Sequence, residues 1–598
     1  MADINRYLNV RSAYGASFAA ETADILFLMN LTGVPQAWQM PRAGGWPDPL
    51  TLYDDRVMRV VAAPTGSWAV VGMDAGGNER EQLFGVSLTT RRTVALTDDA
   101  RGSINTFGGF FGDGVRFAFG SNRRNGRDFD IYLGWVDGRE PARLLLEREG
   151  TWRVAAVSPH DDALLLVHSR SNMIHVLHRL DLATGELSQL TPDPPARWLS
   201  PVWAGDRLLA VTDWGSDFLR LVSIDGEHPP EVLRERDWDV EAVAASRDGQ
   251  LAAYTVDAAG FSELHLLDLA TGRDWEPDGI PPGVMGQMVF SPDGLWLAVD
   301  HMGAQHTLNV WLVATGDPAP ARPVTHASMA GFRAEDMRVP ELVQCPSFDG
   351  RMVPAWYYRP AGGGPHPVVV SVHGGPESQE RPGFNPIYQY LLAEGIGVLA
   401  PNVRGSTGYG KAYTALDNGR ARLDTVKDLE AVAAWLRTQR DAEGDRLAVY
   451  GGSYGGYMVL MAVTHLPSVF QAAVDIVGMA NLETFLENTG PWRRALREAE
   501  YGSLDDRVLL RELSPIHLAD RIETPLMVIH GANDPRVPLG EAEQIVEAVR
   551  ARGRAVTYMV FPDEGHGVVK LSNRRVLYPA IVEFLRGALG MGDGGAGE

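Results

Sequence analysis

Bulky and small side chains alternate along the first half of the chain and give way to helical spacing in the second, so two architectures are expected. The alternating runs come in pairs joined by a short turn that carries Asp or Gly, the mark of a hairpin. The clearest pairs are VFSPDGLWLAV at 289–299 and VAASRDGQLAA at 243–253, with weaker copies at 154–164, 201–211, 107–117 and 60–70 and a degenerate one around 17–28. A second hairpin follows most of them, as in LHLLDLATG at 264–272 and VLHRLDLATG at 176–185. The turns recur about every 45 residues, the spacing of a four-stranded propeller blade. Helical solenoids share that period, but the alternation and the Asp-Gly turns exclude them. Seven units predict a seven-bladed β-propeller over residues 18–330, behind an N-terminal extension of residues 1–17.

From residue 331 the rhythm changes. The stretch 423–436 puts Val426, Leu429, Val432, Ala433 and Leu436 on one face at helical spacing, while apolar runs of strand length stand at 366–372, 446–450, 472–477, 525–531 and 555–561. Strands alternating with helices predict an α/β domain over residues 331–598, with its first strand near 337–343.

The chemistry centres on GGSYG at 451–455. It stands between the strand-length run RLAVY and a stretch, 456–465, that is apolar on nearly every face and expected to be a buried helix. Strand, G-x-S-x-G, helix is the setting of a nucleophile elbow, which lifts a serine hydroxyl to the top of a parallel sheet. Outside that setting the pentapeptide is only a glycine-rich turn. Ser453 is therefore the candidate nucleophile, and Gly451 and Gly455 are small because side chains there would collide.

A serine needs a base and the base an orienting acid, which in α/β-hydrolases follow in the order Ser, acid, His. Asp534 stands in the loop after 525–531 and His566 in the loop after 555–561. His530, His465, His517 and Asp563 are the rivals. His530 ends an apolar strand and reads as a core or supporting histidine; His465 suits a helix C-terminus; His517 has no strand before it; Asp563 is expected to shape the loop of His566. An oxyanion hole needs donors. One is the backbone N–H of Tyr454, and the second comes from Gly374 or Gly375 in the HGGP stretch at 373–376, where glycines let the main chain approach a carbonyl. His373 reads as a brace for that loop rather than a base.

Together, HGGP at 373–376, PNVRGSTGYGK at 401–411, GGSYGGY at 451–457, HGANDPRVP at 530–538 and DEGHG at 563–567 resemble the prolyl oligopeptidase family of serine peptidases, and the HGGP form resembles its acylaminoacyl-peptidase branch. The resemblance covers the chain from about residue 337 onward. It implies an α/β-hydrolase domain whose active site the propeller covers, so that short flexible peptides enter and folded proteins do not. It also implies that the N-terminal extension returns to the hydrolase domain as a helix. The chemistry would be acyl transfer to Ser453, with no metal and no organic cofactor. Arg536, Arg404, Phe485 and Trp492 are candidates for contact with substrate, each with bracing or packing as the plainer alternative. Dipeptidyl peptidases of this family hold a free amino end with adjacent glutamates. No Glu-Glu dipeptide occurs in the chain, which leaves Glu79 and Glu81 as distant substitutes and favours substrates whose amino end is blocked or internal. The alternatives are a carboxypeptidase that uses Arg123, Arg124 or Arg536, an esterase of non-peptide substrates, and a quiet binding protein.

Composition acts by exclusion. Hydrophobic residues at 45% and charged residues at 22% are ordinary for a globular chain. No apolar run of about 18 residues exists, so no membrane span is expected, and the first ten residues lack the apolar stretch of a signal peptide. The single cysteine, Cys345, excludes an intrachain disulfide, fits a reducing, cytoplasmic compartment and is expected to pack. A net charge of −22 argues against nucleic acid as a partner. Partners reduce to short peptides, with self-association left open. The glycine-rich tail, 590–598, is expected to be flexible.

Overall fold

The computed structural model of the protein describes residues 3–592 except 21, 23, 100, 101, 317 and 318. The end of the glycine-rich tail, from residue 593, lies outside the described residues.

The alternating half forms seven antiparallel sheets of four consecutive strands each. The hairpins read from the sequence are the first two strands of a blade: 289–299 runs from the end of Val284–Phe290 into Trp296–Gly303. The first blade starts earlier than residue 18, at the strand Ala13–Phe18. A register shift between Tyr14 and Ser17 breaks its alternation and hides it from a period-two reading. The last blade ends with Arg322–Pro323.

Because every blade uses its own consecutive strands, side chains must close the ring between the last blade and the first. Ala13, Ala16 and Phe18 share an apolar cluster with Ala298, Val310 and Leu312. Beside it the Asp300 carboxylate accepts the Gly15 N–H with both oxygens, at 3.0 and 2.9 Å, and the Gln287 side-chain amide donates to Ala16 O at 3.1 Å.

The second half forms one eight-stranded sheet. Its strands are β1 (Glu341–Pro346), β2 (Met352–Tyr358), β3 (His366–Val372), β4 (Gly397–Pro401), β5 (Ala442–Gly452), β6 (Ala472–Ile476), β7 (Leu526–Gly531) and β8 (Val556–Phe561). They lie in the order β1-β2-β4-β3-β5-β6-β7-β8, antiparallel from β1 to β4 and parallel from there on. The helices used below are α1 (Ile4–Leu8), α2 (Pro386–Ala393), α3 (Arg422–Thr438), α4 (Tyr454–His465), α5 (Arg494–Tyr501), α6 (Gly540–Arg550) and α7 (Leu571–Ala588). Alternation sorts the sheet's side chains by face. Val368, Val370, Leu447 and Val449 pack with α3, α4 and α6, whereas Val369, Ala448 and Val474 pack with α1, α2 and α7. Val426, Leu429, Val432, Ala433 and Leu436 are all buried, as their spacing predicts. Cys345 packs in the first of these cores, where burial pushes its thiol up to about 12. N-terminal helix α1 does return to the hydrolase half: Tyr7 meets the ring of Tyr390 edge-on at 5.3 Å.

The propeller rests on loops that leave the carboxyl ends of the strands, where ligands gather in such sheets. After β3, Arg381 pairs with Glu241 and donates to Ser262 Oγ at 3.0 Å. After β4, the N–H groups of Lys411 and Ala412 donate to Asp217, at 2.9 and 2.7 Å. After β7, Asn533 donates to Gly76 O at 2.9 Å, and after β8, Lys570 pairs with Asp55 at 3.2 Å. Among the described residues no helix is long and apolar enough to cross a membrane.

Burial raises the Asp300 carboxyl to about 7, against the pull of the backbone N–H groups of Gly15 and Gln287. The folded state therefore binds this proton more tightly than the unfolded chain. Its contribution is most favourable below the unfolded value of 3.8 and is lost progressively as pH rises to about 7. Asp300→Asn should remove that slope. Thermal midpoints measured across this window should shift in the variant's favour as pH rises, and parallel profiles for the two proteins would contradict the assignment.

Candidate active site

Strand β5 runs straight into Ser453, whose backbone stands at φ 60°, ψ −118°, and α4 starts at the next residue. That conformation is costly for a residue with a Cβ. It is held because the Ser453 N–H donates to Ile476 O at 2.9 Å and its own carbonyl accepts the Tyr457 N–H at 2.9 Å. The flanking glycines are obligatory. A Cβ on Gly451 would sit 2.4 Å from Gly455 C, and one on Gly455 would sit 2.0 Å from Val372 O.

His566 Nε2 lies 2.8 Å from Ser453 Oγ, and its Nδ1 lies 2.6 Å from Asp534 Oδ2. The network selects the tautomer in which Nδ1–H donates to the carboxylate and the hydroxyl donates to Nε2. Asp534 is aimed by its own loop, since its Oδ1 accepts the N–H groups of Arg536 and Val537 at 2.8 and 3.0 Å. The histidine loop is aimed by Glu564, which is 1% exposed. Its carboxylate accepts the N–H groups of Val569 and Lys570 at 3.1 and 2.9 Å. Nothing in the sequence distinguishes Glu564 from Asp563, and only the structure shows which of the two is turned inward.

The rival residues take supporting places. His530 is fully buried beside Asp534, 3.8 Å from its Oδ2, and its Nε2 donates to Val537 O at 2.9 Å. Burial lowers its pKa, the negative charge of Asp534 working against this, and so favours a neutral ring. Asp563 binds Lys570 and Asn573. His465 caps α4 at Met461 O, 3.1 Å away. His517 falls in the 3-10 helical stretch Pro515–Arg521, remote in sequence from any strand end that carries the triad.

Gly374 is packed so close to the elbow that a Cβ on it would meet Gly452 O at 3.2 Å and Ser453 Cβ at 3.6 Å. Gly375 follows with φ 136°. His373 holds this loop through Ser406 Oγ, 2.8 Å from its Nε2. The N–H of Tyr454 opens α4 beside Ser453. Its side chain points down into the core, where the hydroxyl donates to Asp417 Oδ2 at 3.1 Å. Arg422, wholly buried, lies over the rings of Tyr454 and Tyr501 at 5.1 and 4.4 Å.

Of the four candidates for substrate contact, two are corrected. Arg404 is buried at 3% exposure and grips Asp428 through Nε and Nη2 at 2.9 and 2.8 Å, so it braces its loop. Phe485 is 1% exposed and packs edge-on against Tyr501, a core residue rather than a pocket wall. Arg536 spans the domain boundary to Glu79, Nε to Oε2 at 2.7 Å. Trp492 lies at that boundary too. It lines a cavity of about 390 Å³ with Arg123 and Arg124, and its carbonyl accepts Thr151 Oγ1 at 3.4 Å.

A single propeller loop touches both triad loops, which no sequence pattern announced. Gly76 O accepts from Asn533, Glu79 binds Arg536, and Gly77 lies against the histidine loop. A Cβ on Gly565 would fall 1.8 Å from Gly77 O, and one on Gly77 would fall 2.5 Å from Gly565 N.

The sequence model of the prolyl oligopeptidase family matches residues 382–592. Dipeptidyl aminopeptidase BIII of Pseudoxanthomonas mexicana is 30% identical over 544 residues, 86% of this chain and 78% of that one. A puromycin-hydrolyzing peptidase of Mycobacterium tuberculosis superposes with a TM-score of 0.85 at 21% identity, over 98% of this chain and 96% of that one. The acylaminoacyl peptidase of Pyrococcus horikoshii superposes with a TM-score of 0.75 at 19% identity, over 98% of this chain and 97% of that one. These two structures share the fold.

The glycine-on-glycine contact yields a test. Gly77→Ala adds one methyl group in the propeller, where φ is 75° and the histidine loop leaves no room. It should lower kcat and slow fluorophosphonate labelling of Ser453 at least tenfold while circular dichroism stays that of the parent. Unchanged labelling would show that the loop does not hold His566.

Proposed function

Because the chain belongs to the prolyl oligopeptidase family of serine peptidases, we propose that it hydrolyses short peptides by acyl transfer through Ser453, in a cleft that the propeller covers. The observation that supports this best is the unbroken hydrogen-bonded series Ser453–His566–Asp534, with both links under 3 Å. Ser453 Oγ attacks the scissile carbonyl as His566 Nε2 takes its proton and later returns it to the leaving amine. Asp534 keeps Nδ1 protonated and stabilises the imidazolium. The N–H of Tyr454, with that of Gly374 or Gly375, receives the negative charge of the tetrahedral intermediate, and each such donor is worth about 3–4 kcal/mol in the transition state. Water then releases the acyl group.

The domain contacts around the triad favour substrates that can thread between the halves of the molecule, which means short and flexible ones. Of the arginines a carboxypeptidase would use, Arg124 and Arg536 are ion-paired, while Arg123 has no carboxylate partner among the described residues. Arg124 binds Asp130 at 2.8 Å, Arg536 binds Glu79, and Arg123 stacks on Tyr132 and donates to Ser121. The triad alone would also serve an esterase, which the choice of amide substrates excludes or admits.

Ser453→Ala should abolish both peptide anilide hydrolysis and fluorophosphonate labelling, and labelling that persists at another serine would overturn the assignment. Asp534→Asn should lower kcat by about 10⁴ through the wrong tautomer, whereas Asp563→Asn should cost far less, and the reverse order would move the acid to Asp563. Peptides of up to about thirty residues should be cut well ahead of casein at equal concentration of scissile bonds. Equal rates would show that the propeller does not restrict entry.

A further inference from the structure

The G-x-S-x-G pattern requires Gly451 and Gly455 and gives no reason for the glycine that follows them, Gly456. Packing supplies one. A Cβ on Gly456 would fall 2.4 Å from Asp475 Oδ1 and 2.8 Å from Ile476 O. Asp475 lies in β6, paired in register with Gly451 of β5 and Val528 of β7, and is fully buried. Val474 before it packs with α1, α2 and α7, so Asp475 points to the opposite face, against the first turn of α4.

Just beyond Asp475 the chain makes a second strained turn. Val477 stands at φ 49°, in left-handed backbone that a β-branched residue rarely adopts. Such strain persists only where the surroundings enforce it, and it gathers at active sites. Two hydrogen bonds enforce this one. The Val477 N–H donates to Ile529 O at 2.8 Å, and the Gly478 N–H donates to Asp475 Oδ1 at 2.9 Å. The second closes a ring around Ile476 and Val477. A carbonyl of that ring, Ile476 O, accepts the Ser453 N–H at 2.9 Å. The strained backbones of Ser453 and Val477 are thus joined through one carbonyl.

The carboxyl has no other visible task. A Cβ on Gly478 would fall 2.2 Å from Asp475 Oδ1 and 2.6 Å from Gly456 C, so carboxyl, turn and helix start touch one another directly. Among the described residues Asp475 has no ion pair, and its Oδ2 is buried without a hydrogen-bond partner. Burial lifts its pKa well above 3.8, the Gly478 N–H working against this, and so favours the uncharged acid. A negative charge here would lie against the first turn of α4 and weaken the pull of the helix N-terminus on an oxyanion.

We propose that Asp475 is a positioning residue for the nucleophile: by holding Gly478 across the strained Val477 it fixes Ile476 O, and through that carbonyl the backbone of Ser453. The inference rests on the peptidase reading, in which Ser453 is the nucleophile. The role calls for an acceptor and not for a charge. Asparagine, of the same shape, would serve. A side chain without an acceptor would leave the buried Gly478 N–H unpaired and let the turn relax away from Ser453.

The test compares Asp475→Ala with Asp475→Asn in the full-length protein. Readouts are the rate of fluorophosphonate labelling of Ser453, kcat and KM for a peptide anilide, and circular dichroism. Asp475→Ala should lower labelling and kcat at least about tenfold with KM within about threefold of the parent, and Asp475→Asn should restore both rates to within about threefold. Should Asp475→Ala fail to fold, Asp475→Ser, whose hydroxyl is one bond shorter, takes its place. Val477→Gly supplies an independent arm, because glycine takes a positive φ without strain. In that background the loss on Asp475→Ala should shrink at least about threefold. The pH–rate profiles of the parent and Asp475→Asn should overlay. An asparagine variant as slow as the alanine one, parent-like rates in a folded alanine variant, an equal loss with and without Val477, or an asparagine profile displaced along pH would each overturn the inference. If Ser453 reacts with the fluorophosphonate but no anilide is cut, the peptidase reading fails, and the labelling rates still decide the role of Asp475.

Discussion

Backbone packed on backbone, too close for any side chain to intervene, is the constraint on which the site depends. At the elbow, Gly451 and Gly455 leave room for β5 to turn into α4 within one residue, and Ser453 absorbs the turn at φ 60°. Its strain is stored locally and balanced by the buried helix behind it, every residue of which from Tyr454 to Thr464 is buried. The hydroxyl thus stands above the sheet without freedom to fall back, which is what a preorganised nucleophile requires. Gly374 closes against the same turn from the loop after β3.

The same kind of contact recurs between the domains. Gly77 of the propeller lies on Gly565, next to His566, and the flanking residues of that propeller loop hold Asn533 and Arg536 on either side of Asp534. His566 and Asp534 therefore sit on loops that the propeller touches at Gly565, Asn533 and Arg536. An α/β-hydrolase sheet supplies strand ends, and here the second domain adds contacts to the loops beyond them. Enclosure and alignment are linked, because the residues that cover the site also touch the loops that carry it.

Charge in the cleft follows a different logic. Arg422, fully buried among Tyr454, Tyr501, Asp417 and Glu500, would be prohibitively costly without partners, and these are supplied beneath the elbow by two carboxylates and two rings. The cluster is held by ion pairing and ring contacts rather than by full hydrogen bonding, since Arg422 Nε, Asp417 Oδ1 and both Glu500 carboxylate oxygens are buried without a hydrogen-bond partner.

Local chemistry was legible in the chain itself. Glycines around Ser453, the strand–loop placement of Asp534 and His566, the repeat of the blades and the helical face of α3 each rest on interactions within a few residues, where spacing is a faithful guide. Spacing alone places the first blade too late, because a bulge between Tyr14 and Ser17 breaks the period it relies on. Arg404 and Phe485 read as substrate contacts by type alone, because side-chain type shows what a residue can do and not which way it faces. Burial on Asp428 and on Tyr501 decided that. Contacts between Gly77 and Gly565, Glu79 and Arg536, and Asn172 and Glu377 join residues hundreds of positions apart, and no local pattern encodes them. Sequence by itself determined the kind of chemistry, because a nucleophile elbow is a local steric solution. Only the tertiary structure decided which propeller residues touch the loops that carry it, because that depends on how two halves of the chain meet.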